Sequence, residues 1–444
     1  MKSPFQTVPG SVVAPRGFQA GGVFCDIKRL GTGKGSDKGQ KRDLALIVSE
    51  VPATAAGLFT TNQVCAAPVK VCLKHLRGGV ARAIVANSGN ANACTGRVGL
   101  RDARAMAVVA ARALRVAPEE VLVASTGRIG LPLPMPNVRA GIAAAATRLG
   151  RQPRHADAAA EAIMTSDTRP KQIAVEFQLG GRTVRLGGIC KGAGMIQPGM
   201  SLTGRRPAAR VPHATMLAFL TTDAAVEPTP LRMALERAVA QSFNRITVDG
   251  DMSTNDTVLL LANGLAGNPP AALRPPAARD RAVFQAALDH VCLELAQMIV
   301  RDGEGVTRFV IVRVSGAKTA AEADAAARAV ANSALVKTSW FGGDPNWGRI
   351  MDALGYSAAT IVEDKVDIGY SAPGGRRVVW SLRHGQPTRT SFAELCAAVA
   401  GREFELHIRL NLGRGEALIY AADLTAEYVD FNKGDVSNPA ALGG

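Results

Sequence analysis

The feature that most constrains this chain is an apolar run, Met-Leu-Ala-Phe-Leu (216–220), that begins immediately after Ala214 and Thr215. The run predicts a buried β-strand with a threonine at its start. A bond between alanine and threonine suits self-cleavage, because the small alanine leaves room for the hydroxyl to attack its carbonyl. The new N-terminal threonine would then carry its own base, since an α-amine is partly neutral at about pH 7 to 8. The run therefore indicates an acyl-transferring enzyme whose nucleophile and base both belong to Thr215.

The same residues have a plainer interpretation. Thr215 could be an ordinary polar residue at the mouth of a core strand, and Ala-Thr-Met-Leu taken alone favours that interpretation. The two interpretations of Thr215 predict different products, because only self-cleavage would split the chain into residues 1–214 and 215–444.

Composition narrows the class of protein. The chain has 444 residues, 47% hydrophobic and 20% charged, which fits a globular protein of one large or two smaller domains. Its seven cysteines include no Cys-x-x-Cys pair, which argues against a zinc site and suits a reducing compartment. No uninterrupted apolar stretch approaches the roughly 18 residues of a membrane span, and the start lacks a signal-peptide core. We therefore expect a cytoplasmic protein with no membrane association.

A formal net charge of +15 raises the question of nucleic-acid binding. The basic residues are mostly arginines spread through Ala/Arg-rich sequence, and only 5% of residues are aromatic, so base-stacking surfaces are scarce. The charge is better suited to attracting anionic small molecules. We expect no nucleic-acid partner.

Strands and helices intermix along the chain, which predicts a mixed α/β (α+β) fold. The predicted strands are 21–27, 43–48, 81–87, 121–125, 257–261 and 309–314, with a hairpin at 175–186 and C-terminal strand runs at 366–383 and 404–422. The predicted helices are 101–115, 136–149, 156–164, 229–241, 279–300, 319–333 and 391–399. The glycine-rich stretch 31–41 lacks the spacing of a phosphate-binding loop and predicts a surface insertion.

Short motifs over nearly the whole chain indicate one family. They are Ala-Asn-Ser-Gly-Asn-Ala-Asn-Ala-Cys-Thr-Gly (86–96), Ser-Thr-Gly-Arg-Ile-Gly (125–130), Met-Thr-Ser-Asp-Thr (164–168), Lys-Gly-Ala-Gly-Met-Ile-Gln-Pro (191–198), Val-Asp-Gly-Asp-Met-Ser-Thr-Asn-Asp (248–256), Asp-Gly-Glu-Gly (302–305) and Gly-Asp-Pro-Asn-Trp-Gly-Arg-Ile (343–350). Together with 214–223, and in this order, they closely resemble the ornithine acetyltransferase family, the glutamate N-acetyltransferases of arginine biosynthesis. The resemblance implies layered sheets flanked by helices, in a precursor cleaved into an α chain (1–214) and a β chain (215–444).

The resemblance also implies a set of site residues. Thr126 and Gly127 match the family's oxyanion hole, where a threonine hydroxyl and a glycine N–H can face developing negative charge. Thr165 and Lys191 match substrate-binding positions, and a lysine there could pair with a substrate carboxylate. Glu304 matches an acidic residue that could meet the substrate ammonium group. Without the family pattern, these residues could equally be a strand-to-turn transition, a surface salt bridge and an acidic turn.

The C-terminal segment matches less closely. The family offers an asparagine and, five residues later, a threonine to its ligand, and these positions fall on Asn432 and Ser437. The family's usual tyrosine and arginine are absent, which leaves the amino-acid specificity open.

The largest departure lies just before the predicted scissile bond. Lys191 and Thr215 are 24 positions apart, well beyond the family's usual spacing, and the added stretch is rich in Pro, Gly and Arg. Such a loop could slow or prevent self-cleavage, or it could screen a different substrate. His213 stands where the family has methionine. It could assist proton transfer, although a lone histidine in an inserted loop needs no such role.

The resemblance implies no cofactor and no metal, with acetyl-CoA as a possible co-substrate. Asp249, Asp251 and Asp256 form an acidic cluster, but their spacing is not that of a calcium loop, and loop hydrogen bonding explains them better. The implied partners are small amino-acid substrates and the two chains of one precursor, assembled as two α and two β chains.

Three other functions remain open at this point. A paralogous acyltransferase could act on another amino acid or a specialised metabolite. An N-terminal-threonine amidase or aminopeptidase would use water as its acceptor. A basic binding protein that has lost processing would be neither cleaved nor acetylated.

Overall fold

A computed structural model describes residues 5–28, 41–205, 216–270 and 278–433. The chain forms two compact units. The first contains the residues up to Asn244 together with Asp251–Ile299, and the second contains Arg245–Gly250 and Val300–Lys433. The predicted division at 214/215 concerns the covalent chain and is a separate matter from these units.

In chain order, the strands are β1 Phe5–Thr7, β2 Phe18–Val23, β3 Leu44–Phe59, β4 Val80–Asn90, β5 Val121–Arg128, β6 Lys171–Leu179, β7 Arg182–Lys191, β8 Leu217–Thr222, β9 Ile246–Thr247, β10 Thr257–Ala262, β11 Phe309–Ala317, β12 Asp367–Ser371, β13 Val379–Arg383, β14 Gln386–Pro387, β15 Glu403–Arg409 and β16 Gly415–Ala422. The α-helices are α1 Ala67–His75, α2 Gly96–Leu114, α3 Met135–Ala146, α4 Pro153–Ile163, α5 Pro228–Gln241, α6 Ala278–Arg301, α7 Ala320–Asn332, α8 Ala334–Phe341, α9 Trp347–Gly355, α10 Phe392–Val399 and α11 Ala426–Asn432. The predicted mixed α/β class is confirmed.

The first unit is built on one sheet, whose described strands run in the order β1-β6-β7-β8-β10-β3-β4-β5, with β2 also paired to β3. Strand β8 lies in the middle, antiparallel to β7 and parallel to β10. All six residues of β8 are buried, which explains why the sequence there is almost continuously apolar. The buried strand predicted after Thr215 is thus confirmed, while Thr215 itself lies outside the described residues.

Helices cover this sheet by burying one apolar face each. In α2, Ala103, Met106 and Ala110 are buried, as expected for a helix with one apolar face.

Helix α6 buries apolar residues such as Leu288 and Leu295, and the Cys190 thiol at the end of β7 contacts the carbonyl oxygen of Leu295 in α6. Helix α6 is also long and apolar enough to cross a membrane, but 56% of its most apolar stretch is buried within the protein, as in a core helix.

The second unit contains a smaller sheet, whose described strands run in the order β14-β13-β12-β15-β11-β16-β9. Its core lies between this sheet and the helices that pack on it, with α7 against β11 and β16. The side chains of Thr319, Ser333 and Asn346 accept hydrogen bonds at the starts of α7, α8 and α9, which fixes where these helices begin.

Most predicted elements are confirmed, with instructive differences at their ends. The strand expected at 21–27 ends at Val23, because the Asp43 carboxylate accepts the backbone N–H groups of Cys25 and Ile27, each at 2.7 Å. Strand β3 continues to Phe59, well beyond the predicted residue 48, through a register shift between Val48 and Ala53.

The hairpin, the short helices and the glycine-rich stretch have three different outcomes. The hairpin at 175–186 is confirmed as β6 and β7, joined at Gly180 and Gly181. Helices α1, α8, α9 and α11 were not predicted, because helices of seven to nine residues span too few turns for an apolar period to be recognised. Of the predicted surface insertion at 31–41, residues up to 40 lie outside the described part of the chain.

Helix α4 packs on β2 so closely that Gly22 cannot carry a side chain. A Cβ atom at Gly22 would collide with the Ala158 carbonyl group, which is rigid backbone. We expect Gly22→Ala to lower the free energy of unfolding by about 1–3 kcal/mol. Urea denaturation measures this, with Gly78→Ala as the control, since a Cβ atom there has no neighbour within 4 Å. Equal stability of the two variants would contradict the close approach of α4 and β2.

Candidate active site

The predicted oxyanion pair lies at the end of β5, in the first unit. Strand β5 runs parallel to β4, with Thr126 opposite Ser88 and Gly127 opposite Gly89. Gly127 has φ +123°, and a Cβ atom on it would lie 2.6 Å from the Asn90 nitrogen. Only glycine fits there, because both the backbone conformation and the close approach exclude a side chain.

The hydroxyl of Thr126 has an unusual environment. Thr126 is 1% exposed, and among the described residues its Oγ1 atom has no hydrogen-bond partner. A buried hydroxyl without a partner is costly for stability, so such a group calls for an explanation. A donor held ready for the oxyanion of a bound substrate provides one.

Asn255 fixes the end of β5 from a distant part of the chain. Its buried amide nitrogen donates to the carbonyl oxygens of Ser125 (2.8 Å) and Ala91 (2.6 Å). The Ser125 hydroxyl in turn donates to the Asn87 side chain at 2.6 Å. These bonds hold the backbone on both sides of the strand end that carries Thr126.

The next residue, Asp256, holds the start of β8. Its buried carboxylate accepts the backbone N–H of Met216 at 2.6 Å, and the backbone N–H of Thr257 donates to the Met216 carbonyl at 3.0 Å. Met216 directly follows Thr215, which lies outside the described residues, as do Ala214 and His213. Two consecutive residues, Asn255 and Asp256, therefore connect the predicted oxyanion strand to the strand that follows the predicted nucleophile.

Thr165 and Lys191, the predicted substrate-binding residues of the first unit, are joined by Asp167. The Asp167 carboxylate accepts the backbone N–H groups of Thr165 (2.9 Å) and Gly192 (2.8 Å). It also accepts a hydrogen bond from the Lys171 ammonium at 2.6 Å. The loop after α4 and the end of β7 are thus tied to one carboxylate.

This carboxylate stays ionised in spite of its burial. Burial alone would raise the pKa of Asp167, but the ammonium groups of Lys171 and Lys191 and the N–H of Gly192 outweigh it and hold the pKa well below its usual range. Asp167 is consequently an anion, and an acceptor, throughout the neutral range.

In the second unit, Glu304 and Asn432 lie in contact. The Asn432 amide donates to the Glu304 carboxylate and to the Tyr428 carbonyl, each at 2.9 Å. Helix α11 ends at Asn432 and is capped at its start by Thr425, whose hydroxyl donates to the Gly305 carbonyl at 2.8 Å. Glu304 and Asn432 are therefore held together, whereas Ser437 lies outside the described residues.

The acidic residues 249, 251 and 256 have different surroundings. Asp249 accepts a hydrogen bond from the Tyr428 hydroxyl at 3.2 Å, Asp251 is exposed, and Asp256 binds Met216. Among the described residues, no group of three His, Cys, Asp or Glu side chains could hold a metal ion. No disulfide joins the seven cysteines.

Sequence reasoning missed a buried lysine in the second unit. Lys337 of α8 is 2% exposed and donates to the Ala422 carbonyl. Burial lowers its pKa to about 8, against the opposing attraction of Asp249 and Asp423. A single lysine in the apolar sequence Ala-Leu-Val-Lys-Thr-Ser-Trp-Phe was the available signal.

Comparison with known proteins identifies the family. Residues 21–434 match the family model described as the ArgJ family. This chain belongs to the ArgJ family. The resemblance inferred from the motifs is thereby confirmed, and the match includes every described site residue.

Two ArgJ-type relatives cover nearly the whole chain. The arginine biosynthesis bifunctional protein ArgJ of Symbiobacterium thermophilum is 49% identical, over 95% of this chain and 98% of the relative. The glutamate N-acetyltransferase of Methanocaldococcus jannaschii is 42% identical, over 96% of this chain and 98% of the relative. A solved ornithine acetyltransferase from Mycobacterium tuberculosis, complexed with ornithine, is 39% identical, over 44% of this chain and 100% of that one, with a TM-score of 0.40.

Substitution of Thr126, whose hydroxyl has no hydrogen-bond partner among the described residues, should affect the reaction rate but not stability. Thr126→Val removes a donor of the proposed oxyanion hole, so the acyl-transfer rate constant should fall by about 10²–10³. Stability should not fall, because the lost hydroxyl makes no hydrogen bond to the described residues. Steady-state kinetics and urea denaturation measure the two effects.

Ser125→Ala is the matched control for Thr126→Val. Here the hydroxyl has a buried partner in Asn87, so we expect a loss of about 1–2 kcal/mol in unfolding free energy. A stability loss in Thr126→Val with unchanged rate would contradict the role assigned to Thr126.

The lowered pKa of Lys337 predicts that the free energy of unfolding depends on pH. Its ammonium loses a proton near pH 8 in the folded protein and near the usual value of 10.5 when unfolded. Between these values the unfolded chain binds more protons, so unfolding free energy should rise with pH, by up to about 1.4 kcal/mol per pH unit. Lys337→Met should remove this rise. Denaturation at several pH values tests it, with exposed Lys318→Met as control; an unchanged slope in Lys337→Met would contradict the assignment.

Proposed function

We propose that this protein is a glutamate/ornithine N-acetyltransferase of arginine biosynthesis, which moves acetyl from N²-acetylornithine to glutamate through an acetyl-Thr215 intermediate. The observation that carries the proposal is the pair Asn255–Asp256, one holding the strand end beside Thr126 and the other holding Met216. Membership of the ArgJ family and the names of its relatives support the same activity.

The first step is self-processing. The Thr215 hydroxyl attacks the Ala214 carbonyl, and the acyl group moves from the Thr215 nitrogen to its oxygen. Water then hydrolyses the ester, giving a carboxylate on Ala214 and a free amine on Thr215. The products are an α chain of residues 1–214 and a β chain of residues 215–444.

The free amine then serves as the base in acetyl transfer. It takes the proton of the Thr215 hydroxyl as the oxygen attacks the acetyl carbonyl of N²-acetylornithine. The Thr126 hydroxyl and the Gly127 N–H donate to the oxyanion. The proton passes to the departing amine, and ornithine leaves with Thr215 acetylated.

In the second half-reaction, glutamate takes the acetyl group from Thr215. Its α-amine attacks the acetyl ester of Thr215, and the same oxyanion donors stabilise the second tetrahedral intermediate. N-acetylglutamate leaves, and the Thr215 oxygen recovers its proton. The two half-reactions predict ping-pong kinetics.

The remaining site residues hold the substrates. Both donor and acceptor have an α-carboxylate, which Lys191 would pair with beside Thr165. Glu304 would bind an ammonium group, with Asn432 and Ser437 as hydrogen-bonding partners of the ligand. The contact between Glu304 and Asn432 supports their joint assignment.

Three further features belong to the proposal. No cofactor is needed, although acetyl-CoA could serve as an alternative acetyl donor. The processed chains would assemble as two α and two β chains in the cytoplasm. The extended stretch between Lys191 and Thr215 would leave processing intact, because both of its ends lie in or next to buried strands.

Intact mass of the purified protein tests the chemistry. We expect two chains, split between Ala214 and Thr215, and one acetyl group on the β chain after incubation with N²-acetylornithine. Thr215→Ala should give a single uncut chain with no adduct. Addition of glutamate should remove the acetyl group as N-acetylglutamate.

Other outcomes would favour other functions. Free acetate without N-acetylglutamate would indicate a hydrolase, and transfer to an acceptor other than glutamate would indicate a paralogue. A single uncut wild-type chain that gains no acetyl group would overturn the proposal.

A further inference from the structure

Asp43, the residue before β3, has a fully buried carboxylate that binds a neighbouring segment of backbone. Its two carboxylate oxygens accept three backbone N–H groups, those of Cys25 and Ile27, each at 2.7 Å, and that of Lys28 at 3.2 Å. Hydrogen bonds from three donors offset the cost of burying the charge. The segment 25–28 is therefore wrapped around one carboxylate.

The segment 25–28 lies directly against the end of β4. A Cβ atom on Gly89 would lie 2.6 Å from the Cα atom of Lys28 and 3.1 Å from the carbonyl carbon of Ile27. So close an approach is possible only because Gly89 has no side chain, and its φ of +97° also suits glycine. Backbone thus packs on backbone, with no side chain between the two segments that could absorb a displacement.

The end of β4 lies in the same way against the predicted oxyanion strand, β5. Gly89 is opposite Gly127, and a Cβ atom on Gly127 would lie 2.4 Å from the Gly89 carbonyl carbon. One residue earlier, the N–H of Ser88 donates to the Asp43 carbonyl oxygen at 2.9 Å, and Ser88 is opposite Thr126. Asp43 therefore supports Gly127 through Gly89 and supports Thr126 through Ser88.

The predicted substrate-binding residues of the first unit have a different support. The Asp167 carboxylate, not that of Asp43, accepts the N–H of Thr165 and that of Gly192, the residue after Lys191. Oxyanion donors must stay in place as charge develops, because a displacement of about 1 Å can lower a rate about a hundredfold. Loss of the Asp43 carboxylate should thus slow the chemical step more than it weakens substrate binding.

We propose that Asp43 is a positioning residue of the oxyanion hole, which holds Thr126 and Gly127 in place by fixing the segment 25–28 against Gly89. The inference rests on the proposed function, in which the Thr126 hydroxyl and the Gly127 N–H stabilise the oxyanion of acetyl transfer. It assigns a share of the rate enhancement to a carboxylate that lies wholly inside the protein.

Asp43→Asn tests this role, because asparagine has the size of aspartate but only one acceptor oxygen, so its NH₂ group would face one of the N–H donors. We expect kcat for acetyl transfer to fall about tenfold to a hundredfold while KM for N²-acetylornithine stays within about threefold of wild type. Intact mass gives the cleaved fraction of each variant, to which the rates are normalised. An unchanged kcat, or a loss of kcat/KM that lies in KM alone, would overturn the proposal.

Asp223→Asn is the matched control. Asp223 is also fully buried, and its carboxylate accepts the backbone N–H groups of Arg185 at 2.8 Å and of Arg16 at 3.1 Å. It follows β8, at the opposite end of the strand from Met216. Both substitutions remove one negative charge and should lower the midpoint of thermal unfolding, but only Asp43→Asn should lower kcat. An equal fall of kcat in Asp223→Asn would indicate a general loss of rigidity and would overturn the proposal.

A double-mutant cycle with Thr126→Val tests whether Asp43 acts through the oxyanion donors. Once the Thr126 hydroxyl is removed, Asp43 has one donor fewer to position. The factor by which Asp43→Asn lowers kcat should therefore be about threefold or more smaller in Thr126→Val than in wild type. An equal factor in both backgrounds would show that Asp43 affects the rate in another way.

Asn137→Ala releases the same segment from another side, since the Asn137 amide in α3 donates to the Cys25 carbonyl oxygen at 2.9 Å. Here kcat should fall about threefold or more, again with KM nearly unchanged. Thermal unfolding establishes that each variant folds. If Asp43→Asn does not fold, Asn137→Ala decides, and an unchanged kcat in that variant overturns the proposal.

Hydrogen exchange measures the support of the strand ends without catalysis. The backbone N–H groups of residues 88–90 and 125–128 should exchange about tenfold faster or more in Asp43→Asn than in wild type, and Asp223→Asn should leave their exchange unchanged. Unchanged exchange in Asp43→Asn would overturn the role of Asp43 by itself. Wild type that fails to transfer acetyl would instead overturn the proposed function.

Discussion

The hydrogen bonding of β8 on both of its edges is the constraint on which the active site depends. The strand pairs with β7 on one side and β10 on the other, and the Asp256 carboxylate binds the N–H of Met216, the residue before it. The start of β8 therefore has a fixed position and direction. If the residue before Met216 is the nucleophile, as proposed, the strand that follows it is already ordered before substrate binds, which favours efficient attack.

The polar groups around this strand are buried, and their burial has consequences. Asp167, Lys171, Asn255 and Asp256 all lie in the interior, where an unsatisfied polar group is costly. Each of them hydrogen-bonds to backbone or to an opposite charge, so the cost is offset and the arrangement is rigid. Thr126 is the exception among the described site residues. An electrostatically preorganised site requires rigid surroundings and a donor available to the substrate, and the Thr126 hydroxyl could be that donor.

The sequence predicted most of the helices and strands, and the roles that it assigned to site residues stay predictions. Hydrophobic periodicity was sufficient for α2 and β8, because each buries one face or its whole length. Motif resemblance singled out Thr126 and Lys191, and the structure places both at the ends of buried strands.

Loop hydrogen bonding was predicted for Asp256 but not its partner, and Asn255 and Asp167 were not recognised as supports. They act through backbone groups of residues that are in some cases more than a hundred positions away, and no local pattern encodes such contacts. Strand β2 is shorter than predicted for a similar reason. The Asp43 carboxylate accepts the N–H groups of Cys25 and Ile27, so these residues do not continue the strand. All of the assigned site roles stay predictions, and Ala214, Thr215 and Ser437 also lie outside the described residues.

The order of strands in the first sheet has a consequence for how such a protein matures. β8 and β10, which follow residue 214, lie between β7 and β3, which precede it. Neither portion could complete the sheet alone, and each would expose long unpaired edges prone to aggregation. If the chain is cleaved after residue 214, as proposed, folding must come before scission, and the intact chain would serve as a covalent template for the sheet. Two halves made separately would have to find an interleaved arrangement that the continuous chain obtains by connectivity.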